Sequence, residues 1–115
     1  MSAKEHTGAD DVLAKIQTYK DDFRSDAEEI HKIILSVSEN AYPRLWYGMP
    51  GYSKTKTSPV VMYFRKDKYI TFGRTESANI SFDSKCSPEP VAWFVEKLDD
   101  ESKKMIRDIA MSVLG

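Results

Sequence analysis

Cysteine is almost absent from the sequence, because the 115 residues include only Cys86. One thiol excludes an internal disulfide, and the paired Cys/His spacings of structural zinc sites are also missing. A lone cysteine suits a reducing compartment and predicts a cytoplasmic protein. Long hydrophobic runs are missing as well, since a membrane-spanning helix needs about 20 apolar residues and no signal-peptide core is present. We therefore expect a soluble protein without membrane contact.

Catalytic motifs are also lacking. The chain has two histidines, and His31 lies at the flank of a helical apolar stripe, where a half-buried structural histidine is expected. No G-x-S-x-G nucleophile motif and no glycine-rich phosphate loop is present. The sequence thus predicts a protein that is not an enzyme. One alternative stays open: Lys85 and the helix expected after Cys86 would lower the thiol pKa and make Cys86 a nucleophile.

Positive charge is concentrated in the middle of the chain. Residues 1–43 contain 5 lysines and arginines against 9 acidic residues, residues 44–85 contain 8 against 3, and residues 86–115 contain 4 against 6. The net charge of -1 therefore conceals a basic, aromatic centre between acidic ends. The acidic balance argues against nucleic acid as a partner, and lysines on sheet edges explain the central charge without any ligand.

The N-terminal third has helical hydrophobic periodicity. Residues 1–9 are expected to be a flexible tail, and apolar residues between Asp10 and Phe23 then predict a first helix. Ser25 begins a sequence with the form of a capping box, which predicts a second helix from there to near Asn40.

The middle of the chain instead predicts strands. Residues 45–47 form a short, largely aromatic segment that predicts a strand. The glycines and the proline that follow it indicate a tight bend or a bulge. Residues 60–65 and 69–74 predict a hairpin that turns at residues 66–68, and residues 79–82 predict a further strand. Residues 60–64 are all apolar, so both faces of this strand must be covered by the curled chain, a second subunit in a homodimer, or a ligand pocket.

The C-terminal residues predict two more helices. Ser87-Pro88-Glu89-Pro90 is typical of a helix start, with Val91, Phe94, Val95 and Leu98 on the apolar face. Asp99 is expected to cap a final helix that ends at Gly115. The chain is therefore predicted to form one α+β domain, residues 1–115, in which a small curved antiparallel sheet of about four or five strands packs against two N-terminal and two C-terminal helices.

The order of these parts resembles the YdhG-like family. The most specific motif is Tyr47-Gly48-Met49-Pro50, with the aromatic Tyr52 two residues later, and the resemblance covers roughly residues 10–114. The family is largely a domain of unknown function, and some members are described as intracellular iron chaperones similar in role to frataxin. The resemblance implies an α+β fold with a small curved sheet on helices, and a role in iron binding or delivery.

Two sets of residues are candidate binding sites. The first is an aromatic pocket or groove for a small ligand or a protein segment, and its predicted lining is Trp46, Tyr47, Met49, Pro50, Tyr52 and Tyr63. The second is a set of carboxylates at helical spacing, Asp22, Asp26 and Glu29, whose oxygen atoms would suit iron or another hard cation. Ordinary core packing and helix capping are the competing explanations for the two sets.

Overall fold

In the part of the chain that the computed structural model describes, five antiparallel strands follow one another across one sheet, in the order β1-β2-β3-β4-β5. The structure describes residues 8–39, 41–75 and 92–114. The elements in chain order are α1 (Ala9–Gln17), α2 (Asp21–Ser36), β1 (Tyr42–Trp46), β2 (Met49–Ser53), β3 (Val60–Lys66), β4 (Ile70–Arg74), β5 (Ala92–Val95) and α3 (Asp100–Leu114). The predicted α+β class is confirmed, but three helices are present in the described residues instead of two plus two.

The boundary between α1 and α2 differs from the prediction. Helix α1 ends where the Thr18 side chain and backbone bond to the Lys15 carbonyl, at 2.6 and 3.0 Å. Helix α2 begins at Asp21, because two aspartates in its first turn stabilise the positive end of the helix dipole. Phe23 therefore belongs to α2, and Ser25 lies inside this helix instead of capping it. The helix ends at Ser36, short of the predicted end near Asn40.

The predicted third helix is wrong where the structure describes it. Phe94 and Val95 lie in β5, where Val95 pairs with Ile70 and Trp93 pairs with Phe72 in β4. Burial alternates along this strand, with Val95 buried and Phe94 exposed, and a short apolar run of this kind is ambiguous between helix and strand. The predicted helix start at residues 87–90 and the predicted strand at residues 79–82 lie outside the described residues, as does Cys86.

The cap of the last helix is confirmed. The backbone N–H of Ser102 donates to Oδ1 of Asp99 over 2.9 Å, which satisfies one of the free amides at the start of α3. Hydrogen bonds from the Ser102 backbone and side chain hold the pKa of Asp99 below its usual value. The expected helix end at Gly115 is outside the described residues.

One face of the sheet packs against the helices. Tyr52, Phe64 and Phe72 are fully buried on this face, and Phe23 of α2 meets Phe64 edge to face at 6.5 Å. The remaining fully buried core includes Val12, Ile16, Ile30, Ile34, Ile106 and Ala110 from the three helices. These positions are the helical apolar stripes of the sequence. In the described part of the chain, no helix has the length and hydropathy needed to cross a membrane.

The first residues of β3 are covered on both faces, as predicted. Val60 and Met62 are both buried and lie on opposite faces: Met62 pairs with the helix-facing Tyr52, and Cγ1 of Val60 would lie 3.2 Å from a Cβ atom on Gly51, which points to the other face. Val61 is the extra residue where the pairing of β2 and β3 shifts register. Tyr63 is half-buried and lies on the face opposite the helices, called here the outer face. The outer face also carries Arg44, Trp46 and Met49, because strand register and alternation place them in line with Tyr63.

Candidate functional site

The β1–β2 turn presents an exposed aromatic residue. Tyr47 and Gly48 connect the paired residues Trp46 and Met49, and both have positive φ, 51° and 76°. Two left-handed residues form the turn that matches strand twist best, normally with asparagine followed by glycine. A bulky residue in this conformation is uncommon and costs on the order of 1 kcal/mol. Tyr47 is 85% exposed, so its side chain gains little packing in return.

Three aromatic rings continue from this turn across the outer face. The ring of Trp46 meets Tyr47 at 4.8 Å with an interplanar angle of 75°, and it meets Tyr63 at 5.1 Å with an angle of 36°. Tyr47, Trp46 and Tyr63 are called the aromatic row. Gly51 lies opposite Tyr63 in the ladder, and a Cβ atom there would be 2.8 Å from Cβ of Trp46. The absence of a side chain at Gly51 therefore lets Trp46 approach Tyr63.

The structure divides the predicted aromatic pocket between the two sides of the sheet. Tyr47, Trp46 and Tyr63 form the aromatic row, and Met49 pairs with Trp46. Pro50 and Tyr52 are fully buried, and Tyr52 packs against α2 on the helix-facing side. The alternation of β2, a strand from Met49 to Ser53 where a bend was predicted, produces this separation. Four of the six residues are thus placed together, and two belong to the core.

Tyr52 is joined to His31 in the core. Its hydroxyl lies 2.8 Å from Nδ1 of His31, which is 5% exposed. Burial lowers the pKa of His31, and burial followed by the nearby Tyr19 raises the pKa of Tyr52 well above its ordinary value of 10.0. Both groups are therefore neutral near pH 7, and their burial and mutual contact agree with the structural role predicted for His31.

Stability is expected to fall in mild acid because of His31. Its pKa in the folded protein is below the ordinary 6.5, so the unfolded chain binds the proton more readily. The stabilising contribution of neutral His31 is fully present above pH 6.5, and it is lost as the pH falls through the pKa of His31 in the folded protein. Urea unfolding between about pH 7.5 and 5.5 should show this loss, and the variant His31→Gln should lack this part of it. An identical pH dependence in both proteins would contradict the assignment.

Basic groups flank the aromatic row. Arg44 donates from Nη1 to the Lys56 carbonyl at 3.1 Å and from Nη2 to the Ser58 carbonyl, so its guanidinium fixes the loop after β2. This loop carries Lys54 and Lys56. Arg65 lies in β3 on the outer face and contacts Asp67 through Nε at 3.1 Å. Arg44 and Arg65 therefore lie on the same face as the row, and Lys54 and Lys56 lie on the loop that Arg44 holds.

The predicted metal ligands do not converge. Nζ of Lys66 lies 3.9 Å from Oδ2 of Asp22, and Nζ of Lys103 lies 3.3 Å from Oε1 of Glu29. Burial raises the pKa of Asp26; Lys66 opposes this shift and Asp22 adds to it. Among the described residues, no group of three acidic, histidine or cysteine side chains is placed to hold a metal ion. The geometry gives no support to Asp22, Asp26 and Glu29 as one set of iron ligands.

Comparison with known proteins adds no family. No protein-family model, curated protein or solved structure matches the chain. The YdhG-like family thus stays a prediction from the sequence, and function is inferred from the site itself. Sequence reasoning identified the members of the aromatic row but not Arg44, whose position just before the aromatic residues was the only available signal.

Proposed function

We propose that the protein is a non-enzymatic binding domain that uses the aromatic row to hold an extended acidic segment of a partner protein. The observation that carries this proposal is Tyr47, a highly exposed ring on a left-handed residue. Asparagine at this position would suit the turn better. An unfavourable backbone conformation at a residue whose ring is exposed is typical of a functional residue.

The angles between the rings favour an inserted side chain over a flat ligand. Sugars and nucleic-acid bases stack on the open faces of aromatic side chains, whereas Trp46 and Tyr47 meet almost edge to face. Such an arrangement forms a notch, and aromatic-lined grooves of this kind bind proline in extended peptides. Arg44 lies on the same face two residues before Trp46, and the loop that it holds carries Lys54 and Lys56; these groups supply the positive charge that an acidic segment would meet as it runs away from the turn.

Peptide titration followed by NMR tests the proposal. The probe is a decapeptide of alternating proline and aspartate, and the matched control is the same peptide with lysine in place of aspartate. We expect the acidic peptide to shift the indole N–H signal of Trp46 and to leave that of Trp93 unchanged, because Trp93 stacks on Phe72 on the helix-facing side. Equal shifts with both peptides, or no shift of the Trp46 signal at about 1 mM acidic peptide, would refute the proposal.

Replacing Tyr47 by asparagine should separate binding from folding. Tyr47→Asn is expected to stabilise the protein by about 0.5–1 kcal/mol, because asparagine tolerates the left-handed conformation. The same change should weaken binding of the acidic peptide at least about fivefold through loss of an exposed anchor ring. Urea unfolding and the peptide titration measure the two effects. A stabilised variant that binds the peptide as well as the original protein would remove Tyr47 from the site.

The YdhG-like resemblance agrees with a binding role, and it is the only support for iron. Because Asp22 and Glu29 are paired with lysines, we do not extend the proposal to iron delivery through these carboxylates. Anaerobic titration with ferrous iron would still decide the matter, since binding abolished in Asp22→Ala/Asp26→Ala/Glu29→Ala would restore the iron hypothesis.

A further inference from the structure

A cavity of about 570 Å³ lies on the helix side of the protein. It is bounded by the connection between α1 and α2 and by the turn between β3 and β4, and its main lining residues are Tyr19, Lys20, Asp22, Phe23, Lys66 and Asp67. Its volume is within the range of small-molecule sites, about 300–1,000 Å³. None of these residues belongs to the aromatic row.

Two aromatic rings form the apolar part of the cavity. Tyr19 and Phe23 lie 4.6 Å apart with an interplanar angle of 40°. Phe23 is almost fully buried and is held edge to face against Phe64 of the core. Burial raises the pKa of Tyr19, so its hydroxyl stays neutral at physiological pH. A rigid, uncharged aromatic surface of this kind suits a planar apolar ligand.

The charged lining of the cavity consists of two lysines and two aspartates, and both aspartates already have basic partners. Nζ of Lys66 is 5.7 Å from the centre of the Phe23 ring and forms a long ion pair with Oδ2 of Asp22 at 3.9 Å, so its charge is partly compensated. Asp67 is already bound to Arg65. Within residues 8–39, 41–75 and 92–114, Lys20 forms no ion pair. An anionic group would therefore meet Lys20 directly, and would share Lys66 with Asp22, beside the aromatic surface.

We propose that this cavity binds a small planar aromatic carboxylate. The ring of the ligand packs on Tyr19 and Phe23, and its carboxylate accepts hydrogen bonds from the ammonium groups of Lys66 and Lys20. Charge-assisted bonds of this kind are stronger than those between neutral groups. The site is independent of the aromatic row, because the two lie on opposite sides of the sheet.

Binding is tested with 2-naphthoate and the full chain labelled with ¹⁵N. We expect a Kd near or below about 1 mM, with the largest shifts at the amides of the α1–α2 connection and the β3–β4 turn. Lys66→Gln should weaken binding about fivefold, and Lys20→Gln should weaken it in the same direction. Lys68→Gln is the matched control, since it removes one charge from the same hairpin outside the lining, and it should bind normally.

Two comparisons would overturn the proposal. The first is equal binding of 2-naphthoate and the cationic 2-(aminomethyl)naphthalene, which would show that Lys20 and Lys66 do not select the ligand. The second is a normal Kd in both Lys66→Gln and Lys20→Gln, or no shift at the cavity amides in the original protein. The two variants change exposed ends of side chains, and circular dichroism verifies their fold. Shifts confined to the Trp46 signal would also refute the cavity as the site.

Discussion

Gly51→Ala is expected to destabilise the protein by about 1–3 kcal/mol, which is the usual effect of overpacking. The new methyl group would lie 2.8 Å from Cβ of Trp46, 3.2 Å from Cγ1 of Val60 and 3.3 Å from the Arg44 carbonyl oxygen. None of these atoms is the end of a flexible chain, and Arg44 is paired with Gly51 in the ladder. These close contacts can therefore be relieved only by movement of β1 relative to β2.

Urea unfolding and the indole signal of Trp46 together measure this effect. Displacement of Trp46 should alter its chemical shift and weaken binding of the acidic peptide, because the ring contact with Tyr63 depends on the space above Gly51. Gly48→Ala provides a contrast: it has open space around the new methyl group and only its positive φ opposes the change. That variant should lose stability but retain the Trp46–Tyr63 contact. Stability within about 0.5 kcal/mol of the original for Gly51→Ala would show that the strands absorb the methyl group.

Tyr52→Phe is expected to lower the free energy of unfolding by about 1–3 kcal/mol. The ring of Tyr52 is fully buried and keeps its packing in the variant, but Nδ1 of His31 loses its partner at 2.8 Å. A polar group buried without a hydrogen bond carries its full desolvation penalty. Urea unfolding at neutral pH measures the loss, and the pKa of His31 can be followed by NMR in the same samples.

Two further variants separate the hydrogen bond from other effects of removing a hydroxyl. Tyr63→Phe makes the same chemical change at a half-buried residue whose hydroxyl has no hydrogen-bond partner in the described part of the chain, and it should alter stability by less than about 0.5 kcal/mol. The double variant Tyr52→Phe/His31→Leu should recover part of the loss, because both partners are then apolar. Equal losses for Tyr52→Phe and Tyr63→Phe would refute a special contribution of the buried pair.

The sequence predicted those parts of the fold that local chemistry determines. Residues 66–68 separate two strongly apolar runs, and the predicted hairpin agrees with β3 and β4. Asp99 is followed by a regular helical stripe, and α3 begins as expected. Residues 92–95 were misassigned because four apolar residues satisfy either period. Pairing with β4, a tertiary interaction, selected the strand.

The candidate site was predicted in composition but not in geometry. The predicted lining includes Trp46, Tyr47, Met49, Pro50 and Tyr52 together because they are close in the sequence. In the structure, the turn at Tyr47 and Gly48 reverses the chain, and alternation along β2 sends Tyr52 toward α2. Tyr19 and Phe23 were assigned to one predicted helix, whereas the break between α1 and α2 opens the cavity beside them. The placement of these side chains depends on the residues at which helices and strands end, and these boundaries are difficult to locate from the sequence alone.

The pairing of each strand with its neighbour in the chain also bears on how the protein folds. Strands β1 to β4 are joined by short connections, so their contacts form between residues close in sequence, a topology associated with rapid folding. Strand β5 instead pairs with β4 after a connection that includes residues 75–91. The entropic cost of bringing two strands together rises with the number of residues between them. The pairing of β5 with β4 therefore has a higher entropic cost than the pairings among β1 to β4. The aromatic row lies wholly in the hairpins that close most easily.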